Sequence, residues 1–193
     1  MTTAEALTAA KNRLGLSGTA FDTQLTDFFD TAVDRLFPRV QKEVDVQTVT
    51  PTVDNYGEAE INLATVATPL DDVRLVEAYQ SSTWWPADKI FRHGTKLRVR
   101  DLPTDVSSIR LYGLKKYVVA SAAVDIPEWC ELPVIWFMMS EFYDYLAGSK
   151  SGYNIYSQTP GARAVDNMRD ESEYYEQKAE QYIEEKAQLY GAQ

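Results

Sequence analysis

Residues 131–190 read ELPVIWFMMSEFYDYLAGSKSGYNIYSQTPGARAVDNMRDESEYYEQKAEQYIEEKAQLY. The spacing predicts a helix over Pro133–Ala147, with Pro133 at a first helical position and Gly148 just past the end. A second helix is predicted over Val165–Tyr190. Between them the loop GSKSGYNIYSQTPGAR is rich in turn formers yet carries Tyr153, Ile155 and Tyr156. A loop this long inside a domain is usually functional or disordered, and apolar residues in its middle call for something to cover them. In the second helix Met168, Tyr175, Tyr182 and Leu189 recur every seven residues, with Ser172, Ala179 and Lys186 at intermediate positions. So narrow a stripe resembles a helix-packing seam more than a broad core face. Tyr174 and Tyr190 lie off it and would stand exposed without a partner. The two helices and their loop are therefore read as assembly surfaces, not as a catalytic centre.

Working back toward the N-terminus, Thr2 and Glu5 have capping-box spacing for a helix that begins near Thr3 and stops at Gly15. Leu25, Phe28, Phe29, Ala32, Val33, Leu36 and Phe37 recur at three- and four-residue steps, which predicts a second amphipathic helix from Phe21 or Asp22. Pro38 should end or kink it. From about Val46 the period changes to two. Strands are expected around Val46–Thr50, Glu58–Val66, Val73–Tyr79 and Val106–Tyr112, and at Lys89–Arg92 and Lys96–Arg100 on either side of a His93-Gly94 turn. The expected fold is α+β: an antiparallel helical bundle built from 1–45 and 121–193, with a small antiparallel β-domain inserted at 46–120.

The 193 residues carry a net charge of −10, one cysteine and one histidine. Cys130 has no partner for an internal disulfide and reads as a small hydrophobe near a helix start. The charge is uneven: residues 86–118 hold 8 basic and 3 acidic side chains, net +5, and residues 164–193 hold 3 and 8, net −5. So acidic a chain is a poor candidate for wrapping nucleic acid, though it suits a surface past which DNA slides. The N-terminal residues do not resemble a signal peptide, and the most apolar run, Leu132–Met139, is too short to span a bilayer. The expectation is a soluble protein made in the cytoplasm, with no membrane partner.

No nucleophile elbow, phosphate-binding loop, dinucleotide fingerprint or zinc-protease motif occurs. No catalytic residue, metal or cofactor is expected. Glu141 and Asp144 could share a helical face, but acidic residues are common enough here for chance pairs. Trp84 and Trp85 could form a stacking platform for a carbohydrate or other ligand; the plainer reading puts one in the β core and the other at its rim. Lys96, Arg98 and Arg100 lie on one face of a strand and could meet DNA phosphates or an acidic partner.

The order of parts resembles the head-to-tail connector (adaptor) proteins of tailed bacteriophages. The likeness lies in the N-terminal helix pair, the inserted β-domain, the helix opening at Leu132-Pro133, and the stretch YNIYSQTPGARAVDNM leading into an acidic, tyrosine-rich terminal helix. It covers roughly residues 1–45 and 125–190. The resemblance implies a virion structural protein at the neck, a ring of about twelve copies between portal and tail. Its partners would be the portal protein, a tail or nozzle protein and further copies of itself, with DNA passing through the channel without specific binding. It further implies that Val165–Tyr190 meets the portal and that Tyr153–Gln158 belongs to a loop ordered on assembly. The interface residues expected on this basis are Tyr153, Ile155, Tyr156, Met168, Tyr174, Tyr175, Tyr182 and Tyr190.

Overall fold

The computed structural model describes residues 1–37 and 39–190, with side chains to 187. The fold is mixed α+β, and it divides into two units, one formed by Met1–Val40 with Tyr117–Gln193 and the other by Gln41–Lys116. These bounds fall four or five residues before the 46 and 120 expected for the β segment.

In the first unit, α1 (Thr3–Leu14) begins with the anticipated capping box. Thr2 Oγ1 accepts from Glu5 N–H at 3.2 Å, and Glu5 Oε2 accepts from Thr2 N–H at 2.7 Å. The Thr2 N–H first, and the Thr2 side chain second, favour the ionised form and hold the Glu5 carboxyl below its ordinary pKa. The helix ends at Gly15 in the left-handed region, φ 70°. Helix α2 (Asp22–Asp34) stops short of the apolar stripe that suggested it, and Leu36 and Val40 bury themselves from the turn beyond. The kink expected at Pro38 lies outside the described residues.

Helix α3 (Glu131–Gly148) opens with a 3-10 turn at Glu128–Cys130 and buries Val134 through Ser140 without a break. A helix apolar all round must be surrounded. Accordingly, α1, α2, α4 (Lys150–Gln158) and α5 (Met168–Tyr190) all touch α3. Among the described residues no helix is long and apolar enough to cross a membrane.

Cys130 is buried at the start of α3, and desolvation pushes its thiol pKa up to about 12. The group is therefore neutral and shielded at pH 8. It should fail to react with Ellman's reagent at that pH until denaturant is added; rapid labelling of the folded protein would show the packing around it to be wrong.

The second unit holds two antiparallel sheets. One has four strands in the order β1 (Lys42–Val49), β7 (Ser108–Lys115), β3 (Asp72–Gln80), β4 (Thr83–Pro86). The other has three, ordered β2 (Ala59–Asn62), β6 (Lys96–Val99), β5 (Ile90–His93). Val76, Ala78, Ile109 and Leu111 of the first and Ile61, Leu97 and Val99 of the second belong to one core.

Two details depart from the sequence reading. The hairpin turn is Gly94-Thr95, not His93-Gly94, because His93 pairs with Lys96. In β1 a register shift between Val44 and Gln47 turns Gln47 inward and leaves Val46 exposed. The buried Gln47 amide is satisfied, donating to the Asp45 carbonyl at 2.6 Å and accepting from Thr68 N–H at 3.0 Å.

Candidate functional site

The stretch expected to be a loop is partly helix. Ser149 caps α4, its Oγ accepting from Gly152 N–H at 3.0 Å. One turn further on Tyr156 points inward and is almost completely buried; its ring meets Phe142 edge-on at 5.7 Å, and its hydroxyl donates to the Arg163 carbonyl at 2.9 Å. This bond folds the chain back after α4. The Thr159–Ala162 turn then rests on the end of α1, where Gly15 and Gly161 meet backbone to backbone and Ser17 Oγ donates to the Pro160 carbonyl at 3.3 Å. Asn167 restarts the helix, its side chain accepting from Arg169 N–H at 3.1 Å. The segment is thus a clip docked on the chain's own helices. Turn-forming composition hid a nine-residue helix whose cap and single inward tyrosine supply its stability.

The terminal seam is also largely internal. Met168, Tyr175, Ala179 and Ile183 are buried, and Tyr182 packs edge-on against Trp136 at 5.5 Å. Ser172 Oγ donates to the Ser140 carbonyl at 3.0 Å. Tyr143 and Tyr175 stack with planes 9° apart, and Arg163 reaches the Tyr175 hydroxyl at 3.4 Å. The Tyr143 hydroxyl is buried without a hydrogen-bond partner among the described residues, and burial raises its pKa. Ion pairs flank the seam: Arg35 holds Glu176 at 2.5 Å and Glu141 at 3.1 Å, and Arg39 holds Glu180 at 3.0 Å.

Of the interface residues expected from sequence, Tyr156, Met168 and Tyr175 are therefore turned into the chain's own core, and Tyr182 is half covered by it. Tyr153, Ile155 and Tyr174 stay on the surface, 43%, 46% and 53% exposed. Tyr174 is steadied there by Lys178, whose Nζ donates to its hydroxyl at 3.3 Å. The side chains of Leu189 and Tyr190 lie outside the described residues. The heptad reading missed Ile183 because a straight helix drifts from a seven-residue repeat: the buried set steps 168, 175, 179, 183.

The other candidates are mostly paired within the fold. Lys96 meets Glu60 at 2.6 Å, Arg98 meets the same carboxylate at 3.1 Å, and Arg100 meets Glu58 at 2.7 Å. Lys96 first and Arg98 second hold the Glu60 carboxyl below its ordinary pKa. Trp84 and Trp85 are both half-buried on β4. The Arg110 guanidinium lies 3.9 Å from the centroid of the Trp84 ring, Tyr79 crowds that ring at 4.9 Å, and Trp85 leans on the β core. One face of the Trp84 indole thus carries an arginine.

Glu141 and Asp144 share a polar cleft of about 290 Å³ with Arg35, Arg169, Ser140 and Ser172. Glu173 and Glu176 line it as well, so four carboxylates face two guanidinium groups, and Arg35 already pairs with Glu141 and Glu176. Among the described residues no three His, Cys, Asp or Glu side chains are grouped to hold a metal ion. Comparison with models of known protein families and with curated proteins finds no match for the chain.

Proposed function

We propose that this chain is a virion structural protein: a head-to-tail adaptor whose copies form a ring between portal and tail around the DNA exit channel. In this reading the helices form an antiparallel bundle with the β segment as a small inserted domain, and the protein binds and seals without catalysis. One observation carries the proposal. The YNIYSQTPGARAVDNM stretch, on which the resemblance to the connector family rests, is a clip held by Tyr156 and the Gly15–Gly161 contact while it offers Tyr153 and Ile155 outward. Apolar side chains on a segment so firmly held are suited to contact with another polypeptide at little ordering cost. Tyr174 on α5 is a third such residue. The acidic balance fits a collar around DNA, which repels the phosphate backbone and lets it slide.

Co-assembly tests this reading. Wild-type protein mixed with its cognate portal should give ring-shaped particles in electron micrographs. The triple variant Tyr153→Ser, Ile155→Ser, Tyr174→Ser should keep its helical circular-dichroism spectrum and lose the particles. Absence of any co-assembly by the wild type counts against the proposal, and full assembly by the variant removes these residues from the interface.

A further inference from the structure

Among the described residues, the sheet β2-β6-β5 meets Val53 at its β2 edge through a bridge to Ala59, and no strand at its β5 edge. Its register places Glu60, Arg98 and Phe91 side by side across the three strands, and likewise Asn62, Lys96 and His93. Cross-strand partners share a face. The outer face therefore runs from glutamate on β2, through a cationic row on β6, to Phe91 and His93 on β5. Arg100, just past β6, extends this grid: it pairs with Glu58, its N–H donates to the Lys89 carbonyl at 2.9 Å, and its guanidinium covers Phe91 at 4.9 Å.

That Arg100–Lys89 bond also fixes which main-chain groups of β5 are free. Antiparallel ladders alternate. Lys89, Phe91 and His93 face β6, so the N–H and C=O of Ile90 and Arg92 point to the open side, where no strand pairs with them among the described residues.

We propose that this edge of β5 binds an extended acidic peptide by strand addition, with carboxylates at alternate positions. The fold contains a template for such a ligand. On the far side of β6 the chain supplies Glu58-Ala59-Glu60, whose two carboxylates stand about 7 Å apart on one face and meet Arg100, Lys96 and Arg98. An added strand of the same pattern sets successive carboxylates beside Lys89, Phe91 and His93, within reach of the Arg98 and Arg100 heads, the latter already lying over the exposed Phe91 ring.

Lys89 is occupied by an exposed pair with Asp101, and such pairs exchange at little cost. A second copy of β5 is disfavoured, because its outer-face residues Lys89, Phe91 and His93 bring no carboxylate to the cationic row. Nucleic acid is disfavoured too, because it has no peptide main chain to pair with the outward N–H and C=O groups of Ile90 and Arg92. Main-chain pairing supplies the affinity, and charge selects the sequence. This inference does not depend on the adaptor reading.

The test uses the full chain and a fluorescein-labelled synthetic peptide of alternating valine and glutamate. Anisotropy should show salt-sensitive binding, while a valine–lysine peptide and a single-stranded oligonucleotide bind far more weakly. Hydrogen exchange at the Ile90 and Arg92 amides should slow on binding. Arg92→Pro removes an outward donor and leaves the β6 bonds intact, so it should weaken the peptide roughly ten-fold, the equivalent of about one main-chain hydrogen bond. Lys89→Glu should weaken it as well. Three results would overturn the proposal: no binding at millimolar peptide, the oligonucleotide binding as tightly as the peptide, or exchange at Ile90 and Arg92 unchanged in the complex. The exchange measurement on the wild type decides the matter even if Arg92→Pro does not fold.

Discussion

Phe142→Ala should cost the helical unit about 3–5 kcal/mol of stability, the range found for removing a fully buried aromatic ring. Phe142 is completely buried on α3 and joins three elements. Its ring meets Phe21 before α2 edge-on at 5.1 Å, Tyr143 on α3 at 6.0 Å and Tyr156 on α4 at 5.7 Å. Truncation leaves a hole lined by rings that cannot all move in, because Tyr156 is fixed by its bond to the Arg163 carbonyl and Tyr143 by its stack on Tyr175. Urea unfolding followed at 222 nm reports mainly the helices and should show the midpoint falling sharply. Tyr153→Ser, on the outer side of the same clip, should move it by less than about 0.5 kcal/mol. Similar losses from the two variants would mean that the clip is not docked as described.

Gly15→Ala is the second large effect, about 2–4 kcal/mol. Two causes add. A left-handed conformation costs a residue with a Cβ about 1–2 kcal/mol, and Gly15 sits at φ 70°. A Cβ there would also overlap the Gly161 carbonyl oxygen, which is main chain and cannot swing aside. Gly18→Ala is the matched control. Gly18 also has positive φ, 77°, but a Cβ there meets nothing within 4 Å. The control should show the conformational cost alone. The difference between the two, read from urea midpoints, measures the contact that holds the Thr159–Ala162 turn against α1. Limited proteolysis should cut near residue 160 in Gly15→Ala before it does in Gly18→Ala. Equal losses would remove the contact from the account.

These two glycines also show where reading the chain by itself falls short. Gly15 is legible as a helix stop from its place after Leu14, and the structure agrees. Nothing local says that it also makes room for Gly161, more than 140 positions away. The same limit explains the clip. GSKSGYNIYSQTPGAR has the composition of a loop, and isolated short helices are marginal in water. Residues 150–158 become helical because Tyr156 finds a pocket between Phe142 and the Arg163 carbonyl, and only the folded chain creates that pocket. The cationic row on β6 is a third case. Alternation puts Lys96, Arg98 and Arg100 on one face, but their charge is tempered by Glu58 and Glu60 from a strand whose register cannot be read locally.

From the sequence alone came what depends on short-range chemistry. The capping box at Thr2 and Glu5, the amphipathic run after Asp22, the change to period two near residue 46 and the mixed α+β class all follow from side-chain spacing and backbone preference within a few residues. Tertiary structure decided everything that depends on which distant groups meet. It placed α3 at the centre of its unit, turned Tyr156, Met168 and Tyr175 inward, left Tyr153, Ile155 and Tyr174 outside, and opened one edge of β5. The reason is physical: a hydrophobic stripe specifies that it must be covered, but the covering partner is selected by packing and main-chain pairing over the whole fold.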